Sequence, residues 1–163
     1  MTAMDKYICT AAEIDALVGL DKTHFLNESA QRNNKSLGDL TGLTGIGFHI
    51  IEVQPGYEST ELHAHSYEDE CVYVLEGEAL VTIGDTQTTV SAGAFIGYRA
   101  GGLAHTMSNA GSSVLKCIVV GQRLAHEVAN YPKKQLRMYN NQGQPWDLVK
   151  MTDISHPVAG KKV

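Results

Sequence analysis

From Ile46 the chain adopts a period of two: Ile46, Phe48 and Ile50 alternate with Gly47, His49 and Ile51, as in a strand with one strongly apolar face. On that reading His49 falls on the other face and is set aside as a ligand. Pro55-Gly56 ends the run. Val72 to Leu75 reads as a buried strand that turns at Glu76-Gly77. Ala79 to Ile83 and the β-branched Thr86 to Val90 flank Gly84-Asp85, a hairpin signal. Ala94 to Tyr98, His105 to Asn109 and Val114 to Val120 complete the series, the last being the final strand this pattern predicts. Short strands with a turn signal about every ten residues predict an all-β sandwich or barrel.

The flanks have a different texture. A short β-like run, Lys6 to Cys9, precedes Thr10, which stands as an N-cap with Glu13 three residues on. Ile14, Leu17 and Val18 then share one helical face, and Gly19 is expected to close the helix. Residues 21–45 are polar and turn-rich, and read as an ordered surface loop. Beyond Gly121 the chain reads as irregular, with Pro132, Pro145 and the single Trp146 set in polar sequence. Aromatic residues in such a setting dock into apolar grooves, of the same chain or of a mate.

Charge narrows the function classes. Thirteen basic against eighteen acidic residues give −5, with a pI near 5.7, which argues against a nucleic-acid binder. Basic residues look scattered, with only Lys133-Lys134 and Lys161-Lys162 adjacent, so no phosphate-binding cluster is expected. Cys9, Cys71 and Cys117 have no metal-ligand spacing and predict no disulfide. Neither a secretion signal nor a membrane span is expected, and the cytoplasm is the simplest location.

The candidate chemistry centres on His63-Ala64-His65. In an extended chain both imidazoles point to one side, roughly 6–7 Å apart along the strand, within reach of one ion. The same spacing also occurs on solvated strand faces, so the pair alone does not decide. Glu70 would complete a two-His, one-carboxylate set suited to Fe(II), Mn or Ni. Glu68 shares its alternation parity, so a bend at Tyr67 could exchange the two. His105, after the Gly101-Gly102 turn, offers a third imidazole from a separate strand, as a closed barrel would allow. His24, His126 and His156 lack a partner at ligand spacing and read as structural.

These residues carry a resemblance. Pro55-Gly56, six residues, His63-x-His65, four residues, Glu70, six residues and Gly77 resemble the first motif of the cupin superfamily. Gly93, six residues, Ala100-Gly101, three residues, His105, three residues and Asn109 resemble the second. Two departures stand out: Arg99 occupies the position where the family usually has proline, and the gaps before His63 and His105 are each one residue longer. The resemblance implies a double-stranded β-helix (jelly-roll barrel) with a short N-terminal helix and an irregular C-terminal arm. It also implies one divalent metal ion (Mn, Fe, Ni or Zn) held by His63, His65, Glu70 and His105.

The expected organisation is one domain over 1–163, with a barrel core at about 44–121, an N-terminal arm at 1–43 and a C-terminal arm at 122–163. Phe48, Tyr57, Tyr98 and Arg99 are candidate pocket residues, but core packing is favoured for the three aromatics, and a surface position is favoured for Arg99 over a role in holding an anionic group. Members with such arms resemble proteins assigned as sugar or sugar-phosphate isomerases, and cupins are mostly dimers. The chain is therefore expected to be a homodimer acting on a small molecule, with no nucleic-acid or membrane partner. An isomerase or epimerase of a small carbohydrate is favoured over a metal-dependent oxygenase. A non-catalytic small-molecule binder is the remaining alternative, because cupins host unrelated activities.

Overall fold

A computed structural model describes residues 6–160. In chain order the elements are α1 (Ala11–Ala16), β1 (Leu20–His24), β2 (Asn27–Ser36), α2 (Leu37–Leu40), β3 (Ile46–Val53) and β4 (Ala64–His65). There follow β5 (Glu70–Glu76), β6 (Glu78–Ile83), β7 (Thr86–Ser91), β8 (Phe95–Tyr98), β9 (His105–Ser108) and β10 (Leu115–Gln122). The C-terminal part adds β11 (His126–Tyr131), β12 (Leu136–Asn141) and β13 (Asp147–Lys150). The expected all-β barrel is what forms.

One wall is a six-stranded antiparallel sheet in the order β1-β2-β3-β10-β5-β8. The other combines β7-β6-β9 with β13-β12-β11-β4. The chain leading into β4 stitches these two sheets together. Ser59 N–H donates to the Met107 carbonyl, His63 and His105 exchange both backbone hydrogen bonds, and β4 pairs with β11. Between the walls lies the core: Ile51, Val53, Val72, Val74, Leu115 and Cys117 from the first meet Ala79, Val81 and Met107 from the second. Cys117, a free thiol, serves there as a small hydrophobe.

Motif residues close the barrel. Asn109 is 1% exposed; its amide donates to the carbonyls of Val53 and Ser113, and its oxygen accepts from Gly111 N–H. Gly77 turns with φ +82°, and a Cβ there would lie 2.6 Å from the Val114 carbonyl oxygen, so a side chain is excluded twice over.

The arms differ from expectation. The C-terminal arm is not irregular: three strands follow β10, and Ala129, Tyr131 and Met138 pack with Leu26 of the β1–β2 turn. The stretch expected to be a surface loop is mostly the β1–β2 hairpin and α2. Its alternation is hidden because β2 turns Arg32 and Asn34 inward, so polar residues occupy positions where a pattern search expects apolar ones. The capping box at Thr10 and Glu13 is present, but α1 ends at Leu17 rather than Gly19, and residues 6–9 form no strand. On β3 the inward residues are Gly47, His49, Ile51 and Val53. Phe48 faces out, against α2, where a Cβ on Gly38 would meet its backbone nitrogen at 3.1 Å.

Candidate metal centre

The end of the barrel where β4, β5, β8 and β9 converge holds the histidines. His63 and His105 are cross-strand partners, so their imidazoles emerge side by side, with ring centroids 4.7 Å apart. His65 follows two residues after His63, and the two Nε2 atoms lie 3.1 Å apart. One ring nitrogen from each of His63, His65 and His105 falls within 4.8 Å of the others. Glu70 approaches from the facing wall, its carboxylate 3.8 Å from His105 Nε2. The set therefore spans the two sheets.

Hydrogen bonds fix the tautomers. His63 Nδ1 donates to the Glu61 carbonyl at 2.8 Å and His105 Nδ1 to the Leu103 carbonyl at 3.2 Å. That leaves both Nε2 lone pairs aimed at the common centre, as metal-ligating imidazoles require. His105 Nε2 is buried without a hydrogen-bond partner among the described residues. Two nitrogens 3.1 Å apart also match the cis spacing of about 3 Å around an ion that binds each at about 2.1 Å. This group could hold a metal.

The electrostatics agree. Burial lowers the His63 pKa to about 4 against an upward pull from Glu70, and His65 is lowered for the same first reason. Both rings are thus poised as neutral donors. Burial alone would raise Glu70, but the contact with His105 and the charges of the neighbouring histidines outweigh it and hold the carboxyl below its ordinary value. Glu68, half-buried and accepting from Leu124 N–H at 2.8 Å, is instead raised by burial. The two carboxyl groups that the sequence left interchangeable are therefore driven apart.

Glu127, which sequence reasoning missed, braces the site. It is 3% exposed, its carboxylate accepts backbone N–H bonds from Ser66, Tyr67 and Glu68, and it lies 3.9 Å from His65 Nδ1. His65, Glu68 and Glu127 form a second group of clustered donor atoms. The only signal was parity: Glu127 alternates inward with Ala129 and Tyr131. Tyr98, opposite Glu70 on β8, stacks on His105 with centroids 3.7 Å apart and an interplanar angle of 6°. Its hydroxyl is buried and unpartnered among the described residues, and burial, then Glu70, raises its pKa strongly.

The centre opens into a cavity of about 500 Å³, a size suited to a small ligand. Tyr98 is the one proposed pocket residue that lines it; Phe48, Tyr57 and Arg99 do not. Phe48 lies on the outer face of β3, and Tyr57 and Arg99 are exposed. His24, read as structural, and His49, set aside as a ligand, do line it, together with Lys22, Arg32 and Arg123.

The cupin domain profile matches residues 49–121. A solved structure from Acidithiobacillus ferrooxidans, provisionally named a sugar phosphate isomerase, is 45% identical over 94% of this chain and 98% of its own, with a TM-score of 0.90. The chain belongs to the cupin superfamily. Two other solved structures share the fold at 23% identity. One, named a sugar phosphate isomerase from Silicibacter pomeroyi, has a TM-score of 0.77 over 85% of this chain and 91% of its own. The other, a predicted oxalate decarboxylase from Thermotoga maritima, has 0.51 over 58% and 82%. No curated protein matches this cupin by sequence. Among the described residues, no helix is long and apolar enough to cross a membrane.

Proposed function

We propose that this cupin is a metal-dependent isomerase or epimerase of a small carbohydrate. The observation that carries it is the divergence of Glu68 and Glu70 beside an open histidine centre. Two acids pushed in opposite directions provide one group held ionised and one that takes up a proton more readily. The 45% identity to a structure provisionally named a sugar phosphate isomerase supports the same reading. A divalent cation (Mn, Fe, Ni or Zn) held by His63, His65, His105 and Glu70 would supply Lewis-acid polarisation of a carbonyl and neighbouring hydroxyl. Glu68 would take the proton from the hydroxyl-bearing carbon beside that carbonyl and return it to the carbonyl carbon, while the hydroxyl proton passes to the former carbonyl oxygen. The Tyr98 phenol, kept protonated by burial, would donate a hydrogen bond to the substrate oxygen.

Incubation of metal-loaded protein with an aldose, ketose and sugar-phosphate panel in D2O tests this. Deuterium is expected to enter a carbon-bound position of one substrate, and to be lost in Glu68→Gln. Oxygen uptake without deuterium exchange would replace the reading with an oxygenase.

The protein is further proposed to be a cytoplasmic, single-domain homodimer. Register aligns Ile50, Ile118, Tyr73 and Phe95 across the outer face of the six-stranded sheet, with Tyr73 44% and Phe95 68% exposed. An apolar row of that kind fits a self-complementary interface. Sedimentation of wild type and Phe95→Asp checks it: wild type as a dimer and the variant as a monomer are expected.

A further inference from the structure

The same cavity has a side built by the N-terminal hairpin, and its charge is of the opposite sign to the acidic side at Glu68, Glu70 and Glu127. Lys22 and Arg32 are direct partners in the β1–β2 register, and both line the cavity. Like charges placed opposite one another across two strands repel. Among the described residues neither has a carboxylate within ion-pair distance. Arg32 Nη1 donates to the Ser59 carbonyl at 2.7 Å, while its Nε is buried with no hydrogen-bond partner among the described residues. A desolvated guanidinium with a donor to spare is the arrangement that recognises a planar or tetrahedral oxyanion.

Neighbouring groups reinforce this. Asn34 Nδ2 donates to His49 Nδ1 at 3.2 Å, which leaves the His49 proton on Nε2. Arg123 stands beside that ring, since a Cβ on Gly47 would lie 3.0 Å from His49 Nε2 and 3.2 Å from Arg123 Nε. Arg123 is already paired with Asp39 at 2.6 Å, so it adds field more than a free donor. No cavity carboxylate pairs directly with Arg32: Glu127 accepts three backbone N–H groups, Glu68 accepts Leu124 N–H through Oε1, and Glu70, whose charge reaches Arg32, contacts His105.

We infer that Arg32 and Lys22 form an anion-holding pole of the cavity, so that the substrate is a small carbohydrate bearing a phosphate or carboxylate group. This rests on the carbohydrate reading above. It assigns the anion to the hairpin rather than to Arg99, and to residues more than thirty positions from the nearest candidate metal ligand, His63, in sequence.

Calorimetric titration with ribose 5-phosphate, ribonate and ribose tests it. One of the two anions is expected to bind wild type roughly tenfold or more tightly than ribose, and which one it is separates phosphate from carboxylate. Arg32→Met should abolish the preference and Arg32→Lys should restore most of it. Lys22→Met, at an exposed position, should weaken it about threefold. An anion preference that survives in Arg32→Met, or wild type that binds neither anion better than ribose, overturns the proposal. Metal content measured on the same samples keeps the two readings apart. Arg32-dependent anion binding in protein that never loads metal would remove the metal reading and leave this pole standing.

Discussion

The barrel and its arms contribute to one cavity by opposite means. Residues 46–122 build a wall-to-wall apolar core and bring His63, His65, Glu70 and His105 to one end of it. The arms bury little apolar surface, chiefly the cluster of Ala129, Tyr131 and Met138. What they supply is charge: Lys22 and Arg32 from the N-terminal hairpin, and Glu127 from β11. On the proposed reading, grip on an ion belongs to the barrel, and control of what accompanies the ion belongs to the arms. Fold conservation of the barrel alone would then leave ligand choice free to change with the arms.

The sharpest way to break this division is to remove a barrel ligand. His105→Ala should reduce bound metal from near one ion per chain to below about a tenth, read by elemental analysis of protein purified without chelator. Full metal in that variant would end the account of the centre. Next in size, Asn109→Ala should cost about 3 kcal/mol of stability, since it leaves two buried carbonyls and an N–H without partners. Urea unfolding measures this. A loss below about 0.5 kcal/mol would mean that the second motif does not clamp the barrel.

The arms enter with Glu127→Gln. The amide oxygen can keep only one side of the brace, because Ser66 N–H donates to Oε1 while Tyr67 and Glu68 N–H donate to Oε2, and the negative charge near His65 Nδ1 is gone. A 10–100-fold loss of metal affinity is expected, read by competition with a chromophoric chelator. An unchanged affinity would confine Glu127 to holding the loop.

The same division explains what could be read from sequence. In β5 the alternation of Val72 and Val74 with Cys71 and Tyr73 reports its own burial, because the inward face meets hydrocarbon. The two cupin motifs sit among such strands, and so the convergence of His63, His65, Glu70 and His105 was legible. β2 gave no such signal, since Arg32 and Asn34 face a polar cavity, and alternation of polar with polar is invisible. β3 misled in a different way. Ile46, Phe48 and Ile50 form the more hydrophobic face, yet the outer one, because the inward face opens past Ile51 into the cavity at His49 and Gly47. Basic residues that looked scattered converge only through the β1–β2 register, which no local spacing encodes.

Acid should expose the burial of the site in the metal-free protein. Burial lowers the His63 pKa to about 4, and it lowers His24, His49 and His65 as well. Between about pH 6.5 and pH 4 the unfolded chain takes up protons that the folded one refuses. The stabilisation is complete above pH 6.5 and declines as pH falls. Glu70, also lowered, loses its contribution in the same direction, while Glu68, raised, opposes it. A net drop in Tm of roughly 5 °C from pH 7 to pH 5 is expected for chelator-treated protein. A flat profile would mean that the imidazoles are solvated.

The smallest effect is expected at Arg99, and it bears directly on the comparison. Arg99 belongs to the barrel, follows Tyr98 and stands where the family usually has proline, so sequence offers it as a candidate anion holder, with a surface position the favoured reading. Its side chain is exposed and does not line the cavity. Arg99→Ala should therefore change stability by less than about 0.5 kcal/mol and shift the affinity for a bound anionic sugar by less than about twofold. Thermal unfolding and calorimetry on the same preparation read both. A loss at Arg99 as large as the one expected for Arg32→Met would move charge selection back into the barrel and erase the distinction between the two regions.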